Sequence, residues 1–164
     1  MRLVLLSMAL LACIQPGVFA EPAWKEYINA RFGFKFSHPA SLVAGRVPTN
    51  GGGLTFSTPD KEFEISAWGY FMVDDDTLEK RWADDLKELG PFTTYQRKAA
   101  DWYVISGVKN GAEFYHKVFS KNGNGVFLNI DYPHAKAAQY DPWVEKIARS
   151  FVPFLKGDYD RIEK

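Results

Sequence analysis

The sequence predicts an α+β domain in which one antiparallel sheet is covered by two main helices. Three observations predict it. Several short segments alternate apolar and polar residues with a period of two, Asn-Gly pairs punctuate the second half, and two segments carry an apolar stripe at helical spacing. The 164 residues are 46% apolar and 24% charged, enough apolar surface for one ordinary globular domain and too much for a disordered chain. Lys and Arg number 20 and so do Asp and Glu, so the chain lacks the basic excess that a nucleic-acid partner requires.

Residues 1–20 read as a secretory signal peptide. Arg2 gives the positive start, Leu3 to Ile14 is apolar, and Val18-Phe19-Ala20 places small residues before a cut at Glu21. A run of roughly 12 apolar residues, broken by Pro16 and Gly17, falls short of the ~20 that a membrane span needs. The alternative is a lipoprotein, because Leu10-Leu11-Ala12 precedes Cys13, the one cysteine. Cleavage after Ala20 leaves a periplasmic or secreted chain without thiol, disulfide or thiolate metal site.

One domain is expected over 21–155, followed by a polar tail over 156–164. Tyr27 to His38 reads as two extended pieces around Asn29-Ala30-Arg31-Phe32-Gly33, stopped by Pro39. Leu54 to Ser57 and Glu62 to Phe71 form a hairpin turning at Pro59-Asp60, with Phe63, Ile65 and Ala67 on one face. A helix follows. Asp76 is its expected cap, Glu79 the reciprocal capping-box residue, Leu78, Trp82, Leu86 and Leu89 its apolar stripe, and Gly90-Pro91 its end.

Four strands come next, Phe92 to Arg97, Trp102 to Val108, Glu113 to Ser120 and Gly125 to Tyr132. They form a meander whose Asn110-Gly111 and Asn122-Gly123 turns supply positive φ. Asp141-Pro142 reads as a cap with proline in the first turn of a second helix carrying Trp143, Val144, Ile147, Ala148 and Phe151, closed by Pro153.

Tyr27-Ile28-Asn29, then Phe32-Gly33-Phe34-Lys35-Phe36-Ser37-His38-Pro39, and near the end Ile147-Ala148-Arg149-Ser150-Phe151 resemble the opening and closing segments of PsbP-like domains. These are extrinsic photosystem subunits and their bacterial exported relatives. The pattern also resembles a group of small exported proteobacterial proteins of unassigned function. The resemblance implies an α/β/α sandwich on an antiparallel sheet and a non-enzymatic binding or assembly role. It carries over no metal ligand.

Chemistry is sparse in the sequence. His38, His116 and His134 show no metal spacing, although strand ends bring His38 and His134 into question as ligands with Asp131; the alternative is hydrogen-bonded histidines beside turn prolines. Asp74-Asp75-Asp76 lacks the alternation of a calcium loop, and helix capping accounts for it. Gly51-Gly52-Gly53 leads into a strand and reads as a flexible hairpin loop, since a phosphate cradle leads into a helix. Ser66, Ser106 and Ser150 lack a nucleophile-elbow context. No catalytic, cofactor-binding or metal residue is therefore assigned, and no cofactor is expected.

The excess is aromatic, with 13 Phe, 8 Tyr and 5 Trp. Large side chains on both faces of Trp102 to Ile105 and Phe114 to Phe119 indicate a sheet covered on both faces, the alternative being an exposed recognition surface. The expected function is a non-catalytic periplasmic domain that binds or helps assemble another envelope protein through an apolar surface. Two other classes stay open: an immunity-type protein against an envelope toxin, and a hydrolase whose site forms only in three dimensions.

Overall fold

The computed structural model describes residues 21–155. The expected signal peptide with Cys13, and the tail 156–164, lie outside the described residues. The strands are β1 (Trp24–Asn29), β2 (Phe34–Pro39), β3 (Val43–Ala44), β4 (Gly53–Ser57), β5 (Glu64–Phe71), β6 (Thr93–Lys98), β7 (Trp102–Lys109), β8 (Ala112–Lys121) and β9 (Asn124–Pro133); the helices are α1 (Leu78–Leu89) and α2 (Ala137–Ser150). β3 was not apparent in the sequence because two residues carry no period. The other strands fall where alternation and turn residues place them.

Seven strands form one antiparallel sheet in the order β3-β4-β5-β9-β8-β7-β6, and β1 and β2 pair as a separate hairpin. Asn110 and Gly111 adopt φ of 53° and 81°, and Asn122 and Gly123 adopt 49° and 73°. Both central residues of each tight turn are thus left-handed, which matches the twist of the flanking strands.

Antiparallel register puts paired residues on a common face. On one face Phe56, Ile65, Leu128 and Ile130 pack against Phe34 and Phe36 of the hairpin and Tyr140, Ile147 and Phe151 from the α2 end. On the other, Leu78, Trp82, Leu86 and Leu89 of α1 pack on Tyr103, Ile105, Phe114 and Val118. The architecture is the expected α/β/α sandwich, and these two cores absorb most of the aromatic excess. Each large side chain taken from water contributes about 2 kcal/mol.

The three segments that carried the resemblance meet in space. The Tyr27 ring lies 5.6 Å from that of Phe36, Phe34 stacks 5.9 Å from Phe151, and the Ser37 N–H donates to Ser150 Oγ at 2.8 Å. Beyond α2, Val152 exchanges two backbone hydrogen bonds with Lys35, which extends the hairpin by one bridge.

Both helix starts differ from expectation. Thr77, rather than Asp76, caps α1 by accepting from the Lys80 N–H at 3.1 Å. Asp76 is taken by Arg81, which donates to both carboxylate oxygens at 2.6 Å, and Glu79 pairs with Lys98 instead of closing a capping box. Helix α2 begins at Ala137, after a 3-10 turn over His134–Lys136, so Pro142 lies inside it. The Tyr132 hydroxyl takes the Asp141 carboxylate at 2.7 Å, which occupies the side chain expected to cap. Helix α1 ends at Gly90-Pro91 as expected, with Gly90 continuing right-handed into a 3-10 turn at φ −48°.

Candidate functional site

At one end of the sheet the β1–β2 turn, the β3–β4 loop and the end of β5 converge. Asn29 is buried there because its amide serves both loops: Oδ1 accepts from the Phe32 N–H at 2.9 Å and Nδ2 donates to the Gly51 carbonyl at 3.0 Å. Arg31 donates to the Asn50 carbonyl, and the Gly69 N–H donates to the Gly52 carbonyl at 2.8 Å. Gly69 is required at that place, since a Cβ on it would stand 2.1 Å from the Phe32 ring.

The Gly51-Gly52-Gly53 segment closes the β3–β4 hairpin and leads into a strand, as expected, and hydrogen bonds from Asn29 and Gly69 meet it here. Gly51 adopts φ 58°, and a Cβ on Gly53 would meet the Ala67 carbonyl at 2.1 Å.

On this base Phe32 supports Phe71 at 5.1 Å, and the Arg31 guanidinium lies 5.3 Å from the Phe32 centroid and 5.9 Å from that of Phe71. Phe71 nevertheless remains 58% exposed, Val73 63% and Val47, on the β3–β4 loop, 71%. Met72 is tied down between them by its N–H to the Gly123 carbonyl at 2.8 Å. The outcome is an apolar end whose backbone is fixed by hydrogen bonds and whose large side chains face solvent. Sequence reasoning read Phe71 only as the end of a strand. Gly69 inside an alternating strand was the available signal of a close approach.

A second feature is a groove of about 280 Å³ between α2 and the sheet, lined by Ser106, Glu113, Tyr115, Tyr132, Asp141 and Val144 among others. Its carboxylates already have donors: His134 Nδ1 serves Glu113 at 2.6 Å, the Tyr132 hydroxyl serves Asp141, and Arg149 serves Glu145. Burial pushes the Tyr115 phenol up to about 12, with Tyr95 adding to it. Burial also raises Tyr132, and its bond to Asp141 raises it further.

The histidines are dispersed. His38 is buried against Phe56, with ring centroids 4.3 Å apart, and its Nδ1–H donates to the Pro39 carbonyl at 2.9 Å. His116 lies on the α1 face, diagonal to Asp131 across β8 and β9. Desolvation raises the Asp131 carboxyl and the charge of His116 opposes the rise. Among the described residues no three His, Cys, Asp or Glu side chains stand close enough to hold a metal ion.

The serines are engaged in structure: Ser66 Oγ bonds Thr55 Oγ1 at 2.9 Å, and the Ser150 hydroxyl donates to the Ile147 carbonyl at 2.9 Å. Ser106 lines the groove, and no hydrogen bond joins it to a base among the described residues. Of the Asp74-Asp75-Asp76 run, Asp76 belongs to Arg81.

No protein-family model and no curated protein matches the chain. Solved structures do. The solution structure of cyanobacterial PsbP (CyanoP) from Synechocystis sp. PCC 6803 superposes with a TM-score of 0.60 at 11% identity, over 85% of this chain and 98% of that one. The fold is PsbP-like. A crystal structure from Bacteroides thetaiotaomicron VPI-5482 is similar with a TM-score of 0.54 at 13% identity, over 82% of this chain. The chain spans about half of that protein, 50% of its length. In this PsbP-like domain the paired hairpin, the seven-stranded sheet and α2 hold the Phe71 end and the groove at fixed positions. No helix among the described residues is long and apolar enough to cross a membrane.

Proposed function

We propose that this chain is an exported, non-catalytic binding domain that docks another envelope protein through the end bearing Phe71. The observation that carries the reading is the stack of Arg31 on an exposed Phe71 above buried Phe32. An aromatic and an arginine held on a rigid base are the residue types that dominate interface energy. The surrounding backbone is already hydrogen-bonded, so docking there orders few groups and loses little entropy.

Export rests on residues 1–20. Intact-mass measurement of the exported protein is expected to give a chain beginning at Glu21; a lipid on Cys13 would replace periplasmic release with membrane anchoring. The binding reading is tested by capture from envelope extract with the processed chain and its Phe71→Ser variant. Loss of one hot-spot aromatic removes about 2 kcal/mol, so the variant is expected to retain its partner more than tenfold less well. An Asp84→Ser control, exposed on α1, is expected to capture as the wild type does. Equal capture by Phe71→Ser rejects this end as the docking site.

A further inference from the structure

Lys117 differs from its counterparts. Lys35, Lys109 and Lys136, the other half-buried lysines among the described residues, each hold a carboxylate: Glu26 at 2.9 Å, Glu88 at 3.0 Å, and Glu62. Lys117 holds none. Its ammonium instead lies 5.2 Å from the Trp102 ring centroid and 5.0 Å from that of Phe119. Arg97, also without an ion pair among the described residues, places its guanidinium 5.6 Å from the same Trp102 ring. Two cations thus share one indole.

Register explains the meeting. Arg97, Val104 and Lys117 are successive partners across β6, β7 and β8, so all three project from the sheet face that α2 covers only in part. The neighbouring row on that face is Tyr95, Ser106 and Tyr115, and the latter two also line the groove beside α2. Ring stacking offsets only part of the hydration an ammonium loses on burial, and a hydrogen-bonded anion beside it offsets more. Burial indeed lowers the Lys117 pKa, and no carboxylate among the described residues opposes it.

We infer that this wing of the sheet binds an oxyanion, a carboxylate or phosphate ester carried on an apolar body, between Lys117 and Arg97. The oxyanion accepts hydrogen bonds from both cations. The body passes over buried Val104 to the half-buried Ser106 and Tyr115 and enters the groove, whose far carboxylates already have donors. The site is separate from the Phe71 end, and it stands or falls independently of the docking reading.

The test is a titration of the processed chain followed by amide and indole NMR, with benzoate, phenyl phosphate and the neutral isostere benzamide as probes. Benzoate or phenyl phosphate is expected to shift the Trp102 indole and the Val104, Ser106 and Lys117 amides saturably, and the stronger of the two names the oxyanion. Benzamide is expected to bind at least about tenfold more weakly, as loss of a charge-assisted pair requires. Lys117→Gln and, on the exposed edge strand, Arg97→Gln are each expected to weaken the anion by about fivefold or more. Lys121→Gln, the same charge change on the same strand, is expected to leave it unaltered. Benzamide binding as tightly as benzoate, unaltered binding by both Gln variants, or no saturable shift with either anion would overturn the assignment.

Discussion

The indole of Trp82 meets the Tyr103 ring edge-on, with centroids 5.2 Å apart and planes at 64°, while the Tyr103 hydroxyl donates to Asp85 at 2.7 Å. One tyrosine of β7 therefore receives both an apolar and a polar contact from α1. Its phenol is raised strongly, first by burial and then by its bond to Asp85.

Trp82→Ala is accordingly expected to destabilise the domain by about 3 kcal/mol, through lost burial and the cavity left over Tyr103. Lys80→Ala, which removes only an exposed pair with Asp84, is expected to cost less than about 0.5 kcal/mol. Denaturant midpoints of the two variants check this, and equal midpoints would detach α1 from the sheet.

The cap assignment separates Thr77 from the residues the sequence favoured. Thr77→Ala is expected to cost about 1 kcal/mol, because the Lys80 N–H loses its acceptor. Glu79→Ala is expected to stay within about 0.5 kcal/mol, since Glu79 makes only a surface pair with Lys98. A reversed order in thermal melts would restore the capping box.

Local periodicity made most of the fold legible. The apolar stripe of α1 and the Asn-Gly turns need only neighbours in sequence, and both appear as expected. Asp141-Pro142 misled for the same reason: its local signature is that of a cap, but Tyr132 of another element takes the carboxylate. Packing of Tyr140 and Ile147 then holds α2 through the one hydrogen bond that Pro142 removes. The Phe71 end and the Lys117 site were illegible because each joins residues from elements distant in the chain. Alternation does reveal that Tyr115, Lys117 and Phe119 share a face, yet that no carboxylate among the described residues stands beside Lys117 becomes visible only in three dimensions.

Burial of His38 ties stability to pH. Desolvation lowers its pKa below the ordinary 6.5, outweighing the Pro39 hydrogen bond that favours the charged ring. The unfolded chain therefore binds a proton first as pH falls, so stability is full above 6.5 and declines from there toward the folded-state value. Denaturation midpoints between about pH 7 and pH 5.5 are expected to fall in the wild type and to fall less in His38→Asn. Parallel declines in the two proteins would place the linkage elsewhere.

Site-specific photocrosslinking in the native cell envelope tests the docking account most directly. A photoreactive phenylalanine analogue at position 71 extends the ring that Arg31 and Phe32 hold toward solvent. The same analogue at Asp84, exposed on α1, is the control. A discrete adduct with another envelope protein is expected from position 71, absent from position 84 and reduced by Arg31→Ala. No adduct from position 71, or the same adducts from both positions, would contradict it.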